Sequence, residues 1–243
     1  MNFYALIIGT EILNGRREDK HFKFVQQELE KYSQEMFASF VIKDNRDTMI
    51  KAYNLIKQDP DSVLFSFGGI GSTPDDLTRQ IASEVFTGKP PMIHPKFEKD
   101  ILDRFGNEAY PHRIEMANIP PQADLLFNPV NNMSGFSLQN RYFFVPGFPE
   151  MAHPMISHAI KTYFSKTIQK YKFTLIAHTS ESFLMDIMYK IPEHIEFSSL
   201  PMFRDNKPLV EIFLSGTNKQ EVEYYFNLFI EKLNNEDIIY KLM

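Results

Sequence analysis

The chain has 243 residues, 43% hydrophobic and 23% charged, with a formal net charge of −5. It is therefore long enough for one large domain or a core domain with a smaller one, and has no general electrostatic pull toward nucleic acid or anionic membrane. The absence of cysteine excludes disulfides, thiolate metal sites and a cysteine nucleophile, and fits a cytoplasmic protein.

Asn2 to Ile8 is an apolar run too short to span a bilayer and without the basic flank of a signal peptide, so it reads as a buried strand. It ends at Gly9. The loop Gly9-Thr10-Glu11-Ile12-Leu13-Asn14-Gly15 follows, then the charged stretch Arg16 to Lys20 and His21. Phe22, Val25, Leu29 and Tyr32 give the next segment helical spacing. Met36 to Ile42 is strand-like, and Asp44-Asn45-Arg46-Asp47 caps a helix carrying Met49, Ile50, Tyr53 and Ile56, with Asp44 as a good N-cap candidate.

The most informative stretch is Ser62 to Gln80. An apolar strand runs into Gly68, Gly69 and Gly71, and Thr73-Pro74-Asp75-Asp76 opens a segment with Leu77, Ile81 and Val85 at helical spacing. Thr73 as N-cap and Pro74 at the first helical position predict that a helix begins there. Glycines at such a turn let another molecule approach the backbone closely. Asp75 and Asp76 either favour the positive end of the helix dipole or bind a divalent cation that in turn holds a phosphate.

Strand, loop and helix thus recur three times in the first third of the chain, the signature of an open parallel sheet with helices on both faces and ligands at the carboxyl ends of the strands. Glu11, Asp19, Asp44, Asp75 and Asp76 all follow predicted strands on that side, which predicts that they cluster. From Gly88 the pattern changes. Pro95 to Phe105 and Tyr110 to Asn118 read as helices, Asp124 to Pro129, Gly135 to Gln139 and Arg141 to Val145 as short strands, and Met155 to Phe164 as a helix. After a polar linker, strand, helix, two strands and a helix (Phe173–Ala177, Glu181–Ile191, Ile195–Met202, Leu209–Leu214, Glu221–Leu233) predict a small antiparallel sheet with two helices on one face.

Three motifs carry a specific resemblance: Gly9-Thr10-Glu11-Ile12-Leu13-Asn14-Gly15, Gly68-Gly69-Ile70-Gly71-Ser72-Thr73-Pro74-Asp75-Asp76-Leu77-Thr78, and Pro146-Gly147-Phe148-Pro149-Glu150-Met151. In order and spacing they resemble the MoaB/Mog molybdopterin-binding fold, and within it the amino-terminal region of CinA, the competence/damage-inducible protein A family. The resemblance implies a MoaB/Mog-like α/β domain over residues 1–168 and a small KH-like or ferredoxin-like α+β domain over 169–243. The nicotinamide mononucleotide deamidase domain of many CinA proteins would need about 150 further residues, a typical domain size, so no deamidase activity is expected.

The resemblance also implies a pocket for a phosphorylated small molecule, a nucleotide diphosphate or molybdopterin. Related domains are metal-dependent pyrophosphatases acting on ADP-ribose or FAD; others bind molybdopterin. The implied catalytic residues are Asp76, Asp75 and Glu11, with Asp76 and Asp75 holding Co²⁺, Mg²⁺ or Mn²⁺. The implied phosphate and ligand contacts are Gly9, Gly15, Asp19, Gly68, Gly69, Gly71, Ser72, Thr73, Thr78, Pro146 and Gly147. A non-catalytic binding protein is the alternative. Relatives form dimers or trimers, so a homo-oligomer is expected.

Two departures from the family pattern bear on the substrate. His21 stands where an Asn is usual, and Asn131-Asn132-Met133-Ser134 replaces a small Gly/Ala-Pro stretch. There is no GxSxG elbow for a serine hydrolase, and His153 and His158 are five apart, which does not place them on one helix face. The second domain lacks a GxxG clamp, so a nucleic-acid role is not expected.

Overall fold

Alternation along the first strand, β1 (Asn2–Ile8), sets the layers of the first unit. In the computed structural model, which describes residues 1–167, 169–204 and 207–243, Phe3, Ala5 and Ile7 enter one apolar core and Tyr4, Leu6 and Ile8 the other. A strand covered on both faces needs apolar residues at successive positions, and this one has them. The chain continues through α1 (Thr10–Leu13), α2 (His21–Glu30), β2 (Met36–Ile42), α3 (Arg46–Gln58) and β3 (Ser62–Phe67). β1 pairs parallel with β2 on one side and β3 on the other. Val25 and Leu29 of α2 enter one core, while Met49, Tyr53 and Ile56 of α3 enter the other. The chain has crossed β1, so the two helices cover opposite faces. Such a reversal leaves a crevice beyond the carboxyl ends of the central strands.

The remainder of this unit comprises α4 (Thr78–Ala82), β4 (Met92–Ile93), α5 (Pro95–Phe105), β5 (Asn118–Ile119), β6 (Asp124–Leu126), β7 (Gly135–Leu138), β8 (Tyr142–Val145) and α6 (Pro149–Tyr163). The sheet order is β2-β1-β3-β8-β7-β6, with β8 parallel to β3 and β7 antiparallel to both of its neighbours. This is the three-layer α/β arrangement expected, with an antiparallel edge.

Several local expectations are corrected. No α-helix covers Tyr110 to Asn118: only Arg113–Ala117 is helical, as a 3₁₀-helix leading into β5, after an interruption at Pro111, whose missing N–H and ring disfavour a continuous helix. The helix expected from Thr73 and Pro74 begins only at Thr78. Asp76 Oδ2 instead accepts hydrogen bonds from Thr73 N and Oγ1 at 2.8 and 2.6 Å, closing a local turn in the way that short acidic side chains compete with helix formation. The N-cap of α3 is Asn45, accepting from Thr48 N at 3.1 Å, not Asp44. On α2, His21 rather than Phe22 occupies the buried face.

The chain divides into two compact units, Met1–Lys166 and Thr167–Met243; the boundary expected at residue 168 lies outside the described residues. The second unit contains β9 (Tyr171–Ala177), α7 (Glu181–Met188), β10 (Glu196–Arg204), β11 (Lys207–Gly216), α8 (Lys219–Asn235) and β12 (Tyr240–Leu242). Its antiparallel sheet runs β10-β11-β9-β12. Leu175, Ala177, Val210, Ile212 and Leu214 meet Leu184 and Ile187 of α7 and Val222, Phe226 and Phe229 of α8 in one core. β12 escapes sequence reading because three residues are too few to show a period. Among the described residues, no helix is long and apolar enough to cross a membrane.

The junction that ends β3 is the most constrained point of the first unit. Gly68 has φ +99°, and a Cβ added there would lie 2.4 Å from the Ile8 carbonyl oxygen. Gly68→Ala is therefore predicted to destabilise the first unit by about 2–4 kcal/mol, combining backbone strain with a clash that only strand movement relieves. A matching drop in the urea midpoint checks this.

Candidate functional site

Three parallel strands deliver their carboxyl ends to one side: β1 at Gly9, β3 at Gly68 and β8 at Pro146. Gly68 N donates to Val145 O at 2.9 Å, and Gly9 N to Ile42 O at 3.0 Å, so the first residue beyond each of β3 and β1 is still tied to a neighbouring strand. Gly68 and Gly69 both take positive φ, and the chain turns sharply into Ile70–Asp76. A buried hydroxyl supports that turn from below. Thr78 Oγ1 donates to Gly68 O at 2.9 Å, and Thr78 N donates to Gly69 O at 2.9 Å. Behind it, the Tyr53 hydroxyl and Ser66 Oγ share a hydrogen bond at 3.0 Å. Thr78, read as a ligand contact, is fully buried under the turn.

Above the turn lies a cleft of about 490 Å³, within the usual range for a small-molecule site. One side is polar. It is formed by Gly69, Ile70, Gly71, Ser72, Thr73 and Asp76. Asp76 lies close to Gly71, where a Cβ would come within 2.6 Å of Oδ2. With Oδ2 committed to Thr73, Asp76 Oδ1 has no protein donor among the described residues. Arg79 feels its charge: burial pushes the guanidinium pKa down while Asp76 and Glu115 push it up, and Nη1 is anchored on Glu115 O at 2.8 Å.

The other side is apolar. Phe97 and Phe105 of α5, Met116, Met133 and Met151 line it, and Pro146, Gly147 and Phe148 close it from the β8 end. Arg113 stands at this wall, its guanidinium 4.5 Å from the Phe105 ring centre and bonded to Glu108. The Asn131–Ser134 segment also contributes. It is shaped by buried Asn128, whose Nδ2 donates to Asn131 Oδ1 at 2.7 Å and Met133 O at 3.0 Å, while Asn131 Nδ2 reaches Met151 Sδ at 3.1 Å.

The acids expected to cluster do not. Among the described residues, no three His, Cys, Asp or Glu side chains are grouped so as to hold a metal ion. Each has a separate partner or place. Glu11 lies 3.8 Å from Arg17, and Asp44 Oδ2 accepts from Thr10 N and Oγ1 at 2.8 and 2.9 Å. Asp19 accepts from His21 N and Phe22 N at 2.8 and 3.1 Å, at the start of α2. Asp75 is exposed on the Thr73–Asp76 turn. Gly9 and Gly15 do not line the cleft, whereas Gly69, Gly71, Ser72, Thr73, Asp76, Pro146 and Gly147 do. Phe97, Phe105, Arg113 and Met116 carry no signal in the sequence, since their types are those of any core or surface and only the fold brings them to the cleft, whereas Met133 and Met151 lie in segments that the sequence marks.

Behind Gly147, a second cavity of about 260 Å³ is bordered by Arg17, Lys20, His21 and Glu150. Burial lowers the pKa of His21, and burial together with neighbouring His21 lowers that of His153 to about 4. A histidine whose folded pKa lies below its unfolded value contributes stability that is present above about pH 6.5 and is lost as pH falls, because the unfolded chain binds the proton first. For His153 the window runs from about 6.5 down to about 4. Urea unfolding across that range is predicted to show a steeper loss for the native chain than for His153→Phe. The difference is at most about 1.4 kcal/mol per pH unit and is reduced by the partial exposure of the ring.

Residues 4–166 match the family model described as "Probable molybdopterin binding domain". A relative from Clostridium perfringens named for competence-damage induction is 24% identical over 233 residues, covering 92% of this chain and 56% of the relative. A CinA-like protein from Acaryochloris marina is 30% identical over 170 residues, covering 67% of this chain and 40% of the relative. The chain thus spans about half the length of the curated relatives it matches. The crystal structure of CinA from Thermoplasma acidophilum, described there as of unknown function, is similar at 26% identity with a TM-score of 0.60, over 67% of this chain and 98% of that one.

Proposed function

Because the chain belongs to the family of molybdopterin-binding domains of CinA-like proteins, we propose that its cleft binds a phosphorylated heterocycle and hydrolyses a phosphoanhydride in a nucleotide diphosphate such as ADP-ribose or FAD. The observation that carries this reading is the two-sided cleft: a glycine turn with Asp76 on one side, and an aromatic and methionine wall on the other. Backbone N–H groups of a tight turn suit phosphate oxygens. Flat aromatic and polarisable sulfur surfaces suit a heterocyclic ring.

A divalent cation fits the donor set. Asp76 retains Oδ1, Asp75 is its exposed neighbour, and both offer the hard oxygens that Mg²⁺-type ions take from one or two carboxylates together with phosphate and water. Bound there, such an ion would supply charge neutralisation at the anhydride and acidify an attacking water. Thr73 keeps the Asp76 carboxylate oriented, and Arg79, anchored on the Glu115 carbonyl, adds a positive charge that Asp76 feels. Arg113 offers a second cation beside the apolar wall. Binding without turnover, of a phosphorylated pterin or a nucleotide, is a second reading. It is favoured by the commitment of Glu11 to Arg17 and of one Asp76 oxygen to Thr73, which leaves both acids partly occupied.

Purified protein offered ADP-ribose, FAD or NAD with Co²⁺, Mg²⁺, Mn²⁺ or EDTA separates the two. Metal-dependent cleavage that falls about a hundredfold or more in Asp76→Asn, with the fold retained, is the expected result. Tight ligand retention without cleavage under every condition would select the binding reading.

A further inference from the structure

The Gly147 corner of the cleft is held from behind by two histidines. His21, only 3% exposed, stacks on Phe67 with ring centres 4.2 Å apart and places Nε2 3.4 Å from Gly147 O. His153 of α6 lies flat on Phe24 at 3.7 Å, and its Nε2 is 3.2 Å from His21 Nδ1. A carbonyl oxygen can only accept, so His21 Nε2 carries the proton. A neutral His21 then has a bare Nδ1, and His153 Nε2 must donate to it. The hydrogen bonds therefore run in one direction, from His153 to His21 to the Gly147 carbonyl. Gly147 in turn packs on the glycine turn: a Cβ at this residue would be 3.5 Å from Gly68 Cα.

We propose that His21 is a positioning residue for the cleft: its Nε2–H, kept in that tautomer by His153, holds the Gly147 carbonyl and thereby fixes the Pro146–Gly147–Phe148 corner against the Gly68–Gly69 turn. The consequence for ligand rests on the binding-site reading above, since that corner separates the cleft from the smaller cavity and lines both. Two aromatic faces and burial keep the pair neutral. Asp19 and Glu150 face both rings and favour charge on them, Glu28 adds to this at His153, and Arg17 opposes it at His21. Protonating His21 at Nδ1 would turn that nitrogen into a donor, so His153 could no longer donate to it. The Nε2–H of His21 still donates to the Gly147 carbonyl in the imidazolium, so protonation alters only the bond to His153 and leaves the hold on the corner in place.

The test uses the whole chain and three variants. His21→Gln keeps a donor near the Nε2 position and does not titrate, His21→Leu removes the donor, and His153→Phe keeps a ring on Phe24. Long-range proton–nitrogen spectra of the native protein at pH 7 should show His21 as the Nε2–H tautomer. Hydrogen exchange at the Met151 and Ala152 amides, which donate to Phe148 O at 3.0 and 2.9 Å, reports the corner without any ligand. Exchange should rise about tenfold in His21→Leu, the equivalent of losing one buried hydrogen bond, and stay within about threefold of native in His21→Gln. His153→Phe should show mixed His21 tautomers. ADP-ribose with Mg²⁺ should bind about tenfold more weakly to His21→Leu than to native protein. An Nδ1–H tautomer in the native protein, or unchanged exchange in folded His21→Leu, would overturn the proposal. A native protein that ignores ADP-ribose counts against the binding reading alone, because the spectra and exchange still decide the role of His21.

Discussion

Where the chain leaves β3, no side chain fits. A Cβ on Gly68 would overlap the Ile8 carbonyl oxygen at 2.4 Å, and the positive φ values of Gly68 and Gly69 would strain most other residues. This close packing of one strand end on another determines the rest of the site. It lets the backbone double back above the sheet, and Thr78 can then bond the turn from below through its hydroxyl and its N–H. The helix that follows starts at Thr78, five residues after its apparent cap Thr73, and the intervening segment is left as a loop that Asp76 closes on Thr73. The feature that could have been a helix N-terminus is thus a polar wall.

The two sides of the cleft arise from different parts of the chain and from different physics. The polar side is local, a nine-residue stretch from Gly68 to Asp76 held by backbone geometry and one carboxylate. The apolar side is assembled over long sequence distances from α5, the Asn128-centred loop and the start of α6. Hydrophobic burial places those residues, with Phe97 packed in the same core as Tyr53 and Phe144. The outcome is a recess whose ends differ in polarity, as an amphipathic phosphorylated ligand requires.

The fold was largely legible because β1 and β3 are mostly apolar and buried along nearly their whole length, and the helical spacing of Val25 and Leu29, or of Met49, Tyr53 and Ile56, survives in the structure. The glycine turn was legible for the same reason: glycine at consecutive positions after a strand has few other uses. What sequence could not settle was how each acid satisfies its hydrogen bonds. Asp44, Asp19 and Glu11 lie near the strand ends as topology required, yet each is engaged by a nearby donor or cation, and none joins Asp76. In the sequence His21 stands out only as a departure from a family pattern. Its contacts with Gly147, 126 residues away, and with His153, 132 residues away, are tertiary facts with no local signal.

The claim on which the account rests is that the Gly69–Asp76 loop takes phosphate while the α5 and α6 wall takes a ring. A crystal structure of the chain with ADP-ribose and Mg²⁺ tests it most directly. Phosphate density against the backbone of Gly69 to Ser72, the ion beside Asp76, and a ring among Phe105, Met116 and Met151 are expected. Clear ligand density elsewhere on the molecule, with this cleft empty, would contradict it.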